Sequence, residues 1–165
     1  MRECVMEQKQ KRIGIDLERL YDRSNPKIKI EAETLAGVIV KRIMELQDEY
    51  DVALFRGFQN LLVKLGLRKK GFCFHWTQDL LQTIFGKEWS YFDFYWAGAY
   101  VHGLREHNVV VIVKKGDSLE KGILMDPWRH GGRLYWTDVA RDHYPWKIRP
   151  LPSPLPTTEP LFPLE

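Results

Sequence analysis

Apolar residues in the first part of the chain follow helical spacing. Between Glu31 and Leu65 they recur at steps of three and four, which predicts an amphipathic α-helix. This segment is long for one helix of a globular protein, so we expect a break near residues 47–51 or at Gly57. A weaker helical pattern covers Val5 to Tyr21, and the run Ser24-Asn25-Pro26 separates the two helices.

The pattern changes from helix to strand and turn after Gly71. A third helix is predicted at Phe72–Phe85. The clearest strand is His107–Lys114, a β-branched run followed by the turn residues 115–118 and by an antiparallel partner at Lys121–Asp126. Further short strands are predicted at Phe92–Tyr100, Arg133–Thr137 and Trp146–Arg149. Helices that precede a run of hairpin-connected strands predict an α+β fold, with N-terminal helices packed on a small antiparallel sheet.

Length and composition predict one folded domain with an extended tail. The 165 residues suit a single domain, and an apolar content of 44% is enough for a core. We assign residues 1–149 to one α+β domain of catalytic type. Residues 150–165 read PLPSPLPTTEPLFPLE and form a Pro-rich, extended C-terminal tail. The tail is expected either to pack on the protein's own body or to bind a partner.

Charge and hydropathy exclude two classes of partner. The formal net charge is only +3 and the basic clusters are short, so we expect no nucleic-acid binding. No stretch reaches the roughly 18 apolar residues of a membrane span. The first ten residues contain no apolar run of the kind found in signal peptides. A cytoplasmic location is therefore the default expectation, and secretion after trimming of a leader stays open.

Cysteine usage suggests a reactive thiol rather than a disulfide framework. The chain has two cysteines, Cys4 and Cys73, which is too few for a disulfide scaffold. Gly71 precedes Cys73 closely and a helical pattern follows it. We therefore expect Cys73 at a helix N-terminus, where the helix dipole and unpaired backbone N–H groups favour a thiolate. The same N–H groups are expected to bind an oxyanion.

The predicted hairpin supplies a base and an acid for this thiol. His107 opens one strand and Asp126 closes the next. The start of an antiparallel strand lies beside the end of its partner, so the two residues are expected to be neighbours at one edge of the sheet. A carboxylate beside an imidazole fixes its tautomer and supports its protonated form. The sequence thus predicts a triad of Cys73, His107 and Asp126.

The order of these residues resembles the transglutaminase-like branch of the papain-like cysteine enzyme superfamily. There a cysteine starts a helix, a histidine starts a strand, and an aspartate ends the following strand, often before a proline, as in Asp126-Pro127-Trp128. The resemblance covers Gly71 to Trp128. It implies a papain-like fold and a covalent thioester mechanism on an amide or ester carbonyl. It also implies a peptide or protein amide as substrate, with no cofactor.

The resemblance further implies an oxyanion donor in addition to the backbone N–H of Cys73. In papain-like enzymes a glutamine upstream of the cysteine has this role, which makes Gln59 and Asn60 the candidates. His75 and Trp128 are candidate substrate contacts, since they flank the predicted triad in sequence and aromatic walls suit peptide substrates.

The acceptor of the acyl group and two alternative functions remain open. Water is the default acceptor of the acyl group, which gives a peptidase or amidase, whereas an amine acceptor gives a transferase. The chain is alternatively an inactive papain-like interaction module whose tail binds a partner, or an acyltransferase that uses a thioester donor. A zinc site built from Cys73, His75, His102 and His107 is not expected, because paired cysteines and a His-Glu-x-x-His motif are missing from the sequence.

Overall fold

The described part of the protein is an α+β structure of three helices and a five-stranded antiparallel sheet. The computed structural model describes residues 2–23, 25–49, 69–130 and 133–151. Its helices are α1 (Arg2–Glu18), α2 (Pro26–Glu49) and α3 (Lys69–Phe85). Its strands are β1 (Phe92–Ala99), β2 (His107–Lys114), β3 (Ile123–Asp126), β4 (Tyr135–Asp138) and β5 (Lys147–Arg149). The α+β prediction is confirmed, and β2 has the bounds that the sequence predicted.

Helix α2 begins earlier than its apolar pattern indicates, because Asn25 caps it. The side-chain Oδ1 of Asn25 accepts hydrogen bonds from the backbone N–H groups of Lys27 and Ile28, at 2.9 and 3.0 Å. Pro26 occupies the first helical position, where its missing N–H costs nothing. Helix α2 continues through residues 47–49. The rest of the predicted break at 47–51, and Gly57, lie outside the described residues.

The sheet is a four-stranded meander to which a fifth strand returns. Its order is β4-β3-β2-β1-β5, and every neighbouring pair is antiparallel. Strand β5 lies on the outer edge of β1, as expected for a short edge strand. In the β1–β2 register, His107 lies opposite Ala99 and Asn108 lies opposite Gly98. Strand β2 pairs with β1 on one side and β3 on the other, and β1 separates it from β5.

Both faces of β2 are buried, which explains its continuous apolar run. Val110 and Ile112 belong to the larger core, which the three helices share with one face of the sheet. Val109, Val111 and Val113 belong to a second core on the opposite face, together with the side chains of Leu119, Leu124 and Val139. A strand buried on both faces has no need of polar residues at alternate positions.

Helix α3 packs against β2 and so places its first turns near the start of that strand. None of the helices in the described ranges combines the length and the apolar character that crossing a bilayer requires.

Candidate active site

Polar groups inside the described part of the protein gather at one end of the sheet. The buried polar side chains there are those of Thr77, His107, Asn108 and Asp126. Three of them lie at the adjoining ends of β2 and β3, and Thr77 donates its hydroxyl to the backbone oxygen of Cys73 at 2.8 Å. Burying polar groups is costly unless they are paired, so this concentration marks a site with a specific role.

The hairpin brings His107 and Asp126 into direct contact. Nε2 of His107 lies 2.6 Å from Oδ2 of Asp126. Burial opposes ionisation of Asp126, but its contacts with His107 and Arg129 hold its pKa below the usual value. An ionised carboxylate only accepts hydrogen bonds, so Nε2 carries the proton and donates it. The other ring nitrogen, Nδ1, is therefore left for Cys73.

A turn built on Pro127 fixes the carboxylate of Asp126. Its Oδ1 accepts the backbone N–H groups of Trp128 and Arg129, at 3.1 and 2.9 Å. Its Oδ2 accepts a hydrogen bond from Nε of Arg129 at 2.9 Å, in addition to the one from Nε2 of His107. Asp-Pro sequences favour such turns, because the aspartate side chain bonds to the backbone that follows it. Four donors hold the carboxylate in one orientation.

Arg129 is held in turn by a second carboxylate. Its Nη1 and Nη2 donate to the two oxygens of Asp142, both at 2.8 Å. Its guanidinium carbon lies 4.7 Å from the ring centroid of Tyr135 and 4.8 Å from that of Tyr144. Burial opposes its charge, but the two carboxylates raise the pKa of Arg129. The bidentate geometry makes Arg129 a rigid support for Asp126.

Protonated His107 is strongly stabilised in this environment. Burial disfavours the imidazolium, but hydrogen bonds and charge interactions with Asp126 and Cys73 outweigh it and raise the pKa of His107 to about 9. The aromatic rings of Tyr144 and Trp146 flank the imidazole, with centroids 5.5 and 5.7 Å away. They restrict the ring to the orientation in which one nitrogen faces the carboxylate.

Cys73 lies within α3 and reaches the same site. Cys73 is 1% exposed, and its interaction with His107 contributes to the raised pKa of that imidazole. Its Sγ also lies 4.0 Å from the backbone oxygen of Glu106. Cys4 is exposed, and neither cysteine is in a disulfide. The three residues of the predicted triad are therefore in one place, although the sulfur is enclosed.

The position of Cys73 on its helix differs from the expected one. Helix α3 begins at Lys69, so Cys73 is in its second turn and not at its N-terminus. Only the first four backbone N–H groups of a helix lack an internal partner. The backbone N–H of Cys73 is accordingly engaged in the helix, and the expectation that it serves as an oxyanion donor is wrong. Residues 69–71 are part of the helix. Gly71 therefore lies in its first turn, whereas the sequence pattern indicated a helix start after this glycine.

Asn108 is a site residue that the sequence analysis missed. It is fully buried, and its Nδ2 lies 3.7 Å from Sγ of Cys73. The signal was present in the sequence, because Asn108 interrupts an otherwise apolar strand directly after His107. A lone amide beside five apolar residues is easily taken for a strand end, and only the tertiary structure shows what it faces.

The remaining predicted site residues are more scattered. Trp128 contacts Asp126 through its backbone N–H, while its indole ring lies 6.4 Å from that of Trp76. His75 is half-buried on α3, with its ring 6.0 Å from the ring of Phe74. Gln59 and Asn60 lie outside the described residues, as does the Pro-rich tail beyond residue 151. Within the described ranges, His, Cys, Asp and Glu side chains form no cluster of three that could hold a metal ion.

Comparisons with protein-family models, with curated proteins and with solved structures find no match for this chain. The arrangement joins a thiol to an imidazole and the imidazole to an ionised carboxylate, so a proton can pass from sulfur to Nδ1 without leaving the site.

Proposed function

We propose that this protein is a cysteine-nucleophile enzyme of the transglutaminase-like, papain-like type, which transfers an acyl group through a thioester. The observation that carries the proposal is the convergence of Cys73, His107 and Asp126: Nε2 of His107 lies 2.6 Å from Asp126, and Cys73 helps to raise the pKa of His107. A purely structural cysteine has no need of a base whose second nitrogen is held by a buried carboxylate.

Each member of the triad has a distinct role in the proposed reaction. The thiolate of Cys73 attacks the carbonyl carbon of an amide, after its proton has passed to Nδ1 of His107. His107 then delivers that proton to the leaving amine as the thioester forms. Asp126 accepts the hydrogen bond from Nε2–H throughout and orients the imidazole. Water resolves the thioester in a peptidase or amidase, and an amine resolves it in a transferase.

The raised pKa of His107 supports this assignment. A pKa of about 9 means that the imidazole holds a proton at neutral pH, when it can pair with a thiolate. Thiolate–imidazolium pairs make cysteine nucleophilic well below its ordinary pKa. A histidine whose pKa is raised by a carboxylate and by a cysteine together is suited to this role.

Selective alkylation tests the proposal. We expect iodoacetamide at pH 6 to modify Cys73 faster than Cys4, with the two sites resolved by peptide mass spectrometry. His107→Ala and Asp126→Ala should each slow the reaction at Cys73. Cys4 serves as an internal control, because it is an exposed cysteine on α1.

Burial of the sulfur limits how fast the alkylating reagent can reach Cys73, and this affects how the labelling rates are interpreted. With 1% of the Cys73 side chain exposed, the reagent reaches it only through a local opening, so wild type and variants are compared through their pH profiles. Equal, slow labelling of both cysteines across pH 5–8, unchanged in both variants, would refute the triad and favour an inert interaction module.

A further inference from the structure

The amide of Asn108 is held in a single orientation. Its Oδ1 accepts two hydrogen bonds, from Nε1 of Trp96 at 2.9 Å and from Nη1 of Arg149 at 2.7 Å. Both donors lack acceptor capacity, so the oxygen must face them and the NH₂ group must face the other way. Nδ2 therefore points to Sγ of Cys73 at 3.7 Å and to Oε1 of Glu106 at 3.3 Å.

Several features of the chain serve this orientation. Arg149 crosses from β5 to Asn108 over Gly98, and a Cβ on that glycine would lie 2.6 Å from Cδ of Arg149. Nη1 of Arg149 also bonds to Glu106 at 2.8 Å. Burial of Glu106 opposes its ionisation, but the N–H of His102, Asn108 and Arg149 together hold its pKa below the usual value. The ionised Glu106 accepts a hydrogen bond from one of the two amide hydrogens of Asn108, which leaves the other hydrogen to donate to the sulfur.

We propose that Asn108 is a catalytic hydrogen-bond donor, which stabilises the Cys73 thiolate and then the oxyanion that forms on the carbon the sulfur attacks. This inference rests on the proposed function. A sulfur lone pair forms the S–C bond while the carbonyl π pair moves to oxygen, and Nδ2–H donates to that oxygen without losing its proton. When the oxyanion collapses, the C–N bond breaks and the amine takes its proton from His107.

The position of Cys73 explains why a side chain is needed for this role. In the second turn of α3 its own backbone N–H is used within the helix. An oxyanion on the attacked carbon lies close to the sulfur, so a donor already 3.7 Å from Sγ is within reach of both charges. His107 interacts with the sulfur, whereas Glu106 and Arg149 bond to Asn108. Asn108 is thus a neutral donor between the sulfur and these two charged side chains.

Asn108→Asp removes the donor, keeps the oxygen that Trp96 and Arg149 bind, and adds a negative charge beside the sulfur. The amide titration described below isolates donation from that charge. Aspartate keeps the size of asparagine and keeps an oxygen for Trp96 and Arg149, but it replaces the NH₂ donor by an acceptor. We expect the pH midpoint of Cys73 alkylation to rise by about one pH unit or more, and the rate at pH 6 to fall about tenfold. Asn25→Asp makes the same chemical change at a helix cap, where aspartate is equally suitable, and should leave the profile unchanged.

A measurement on the wild-type protein covers the case in which Asn108→Asp does not fold. The chain has asparagine only at positions 25, 60 and 108, so ¹⁵N-asparagine labelling gives a simple set of side-chain amide signals. The Asn108 NH₂ signal should shift as Cys73 titrates, and the shift should vanish after the sulfur is alkylated. The signals of the other asparagines should not follow that titration.

The outcomes distinguish this inference from the proposed function. If wild-type Cys73 reacts selectively at pH 6 but Asn108→Asp has the wild-type midpoint, or the Asn108 signal ignores the titration, the donor role is overturned and the triad stands. If labelling of Cys73 is slow across pH 5–8 and unchanged in His107→Ala and Asp126→Ala, the proposed function fails and the inference fails with it.

Discussion

Replacing Asp126 by asparagine tests the charge interaction between Asp126 and His107. The substitution keeps the size of the side chain and an oxygen for the backbone N–H groups of Trp128 and Arg129. It removes the negative charge that faces Nε2 of His107 at 2.6 Å. The stabilisation of the imidazolium should therefore fall while the turn after β3 is preserved.

The magnitude follows from the pKa of His107. That pKa is about 9, whereas an ordinary histidine has 6.5. Each pKa unit corresponds to about 1.36 kcal/mol, so the difference favours the protonated form by about 3 kcal/mol. Burial works in the opposite direction, so the partners of His107 contribute more than this. Asp126 is the first of these partners. We expect the pKa of His107 to fall by about two units or more in Asp126→Asn.

Titration of the histidine ring signals by NMR measures this change directly. His107 is identified as the signal that disappears in His107→Gln. Asp138→Asn is a matched control, because it makes the same change on β4, where Asp138 pairs with Arg19 and Arg141. The control should leave the His107 titration in place, and alkylation of Cys73 at pH 7 should slow only in Asp126→Asn.

An unchanged His107 titration in Asp126→Asn would refute this reasoning. It would mean that the hydrogen bond does not control the charge of the imidazole, and that the role given to Asp126 in orienting and stabilising it is wrong. Loss of the titration shift in both Asp126→Asn and the control would point to a general change of fold.

Further predictions concern the supports of the site and of the sheet. Arg129→Met should lower the free energy of unfolding by about 3 kcal/mol in urea titrations, because two buried carboxylates lose their shared cation. The pKa of Asp142 lies below its ordinary 3.8, so the stability it confers is present above that pH and is lost as the pH falls further. Asp142→Asn should therefore weaken the loss of stability between pH 4 and pH 2, measured by circular dichroism. Gly122→Ala should cost about 1–3 kcal/mol, since its Cβ would lie 2.5 Å from Cγ1 of Val111. Gly14→Ala in α1 should stabilise by about 0.5–1 kcal/mol, since the added Cβ would lie in ordinary contact with Cα of Glu33 at 3.5 Å. Equal effects of the two glycine substitutions would contradict the packing argument.

The sequence was informative where local patterns decide the structure. The β-branched run of β2 and the turn residues after it predicted the hairpin, and hairpin geometry predicted that His107 and Asp126 would meet. Strand pairing is a short-range consequence of turn position, so this contact needed no knowledge of the remaining fold. The helix bounds were less accurate, because capping by Asn25 and the continuation of α3 through Gly71 depend on single residues.

What surrounds the triad was decided only by the tertiary structure. The sequence alone established an α+β order, a free thiol and a hairpin with a histidine and an aspartate at adjoining ends. The folded chain added Arg129 and Asp142 behind the aspartate. It also brought Asn108 of β2 to the sulfur and Arg149 of β5 to Asn108. Such contacts depend on the packing of α3 across β2 and on the return of β5 to β1. Long-range packing of this kind leaves no periodic signal in the sequence, because each partner is fixed by a separate element and their meeting point exists only once the core has formed.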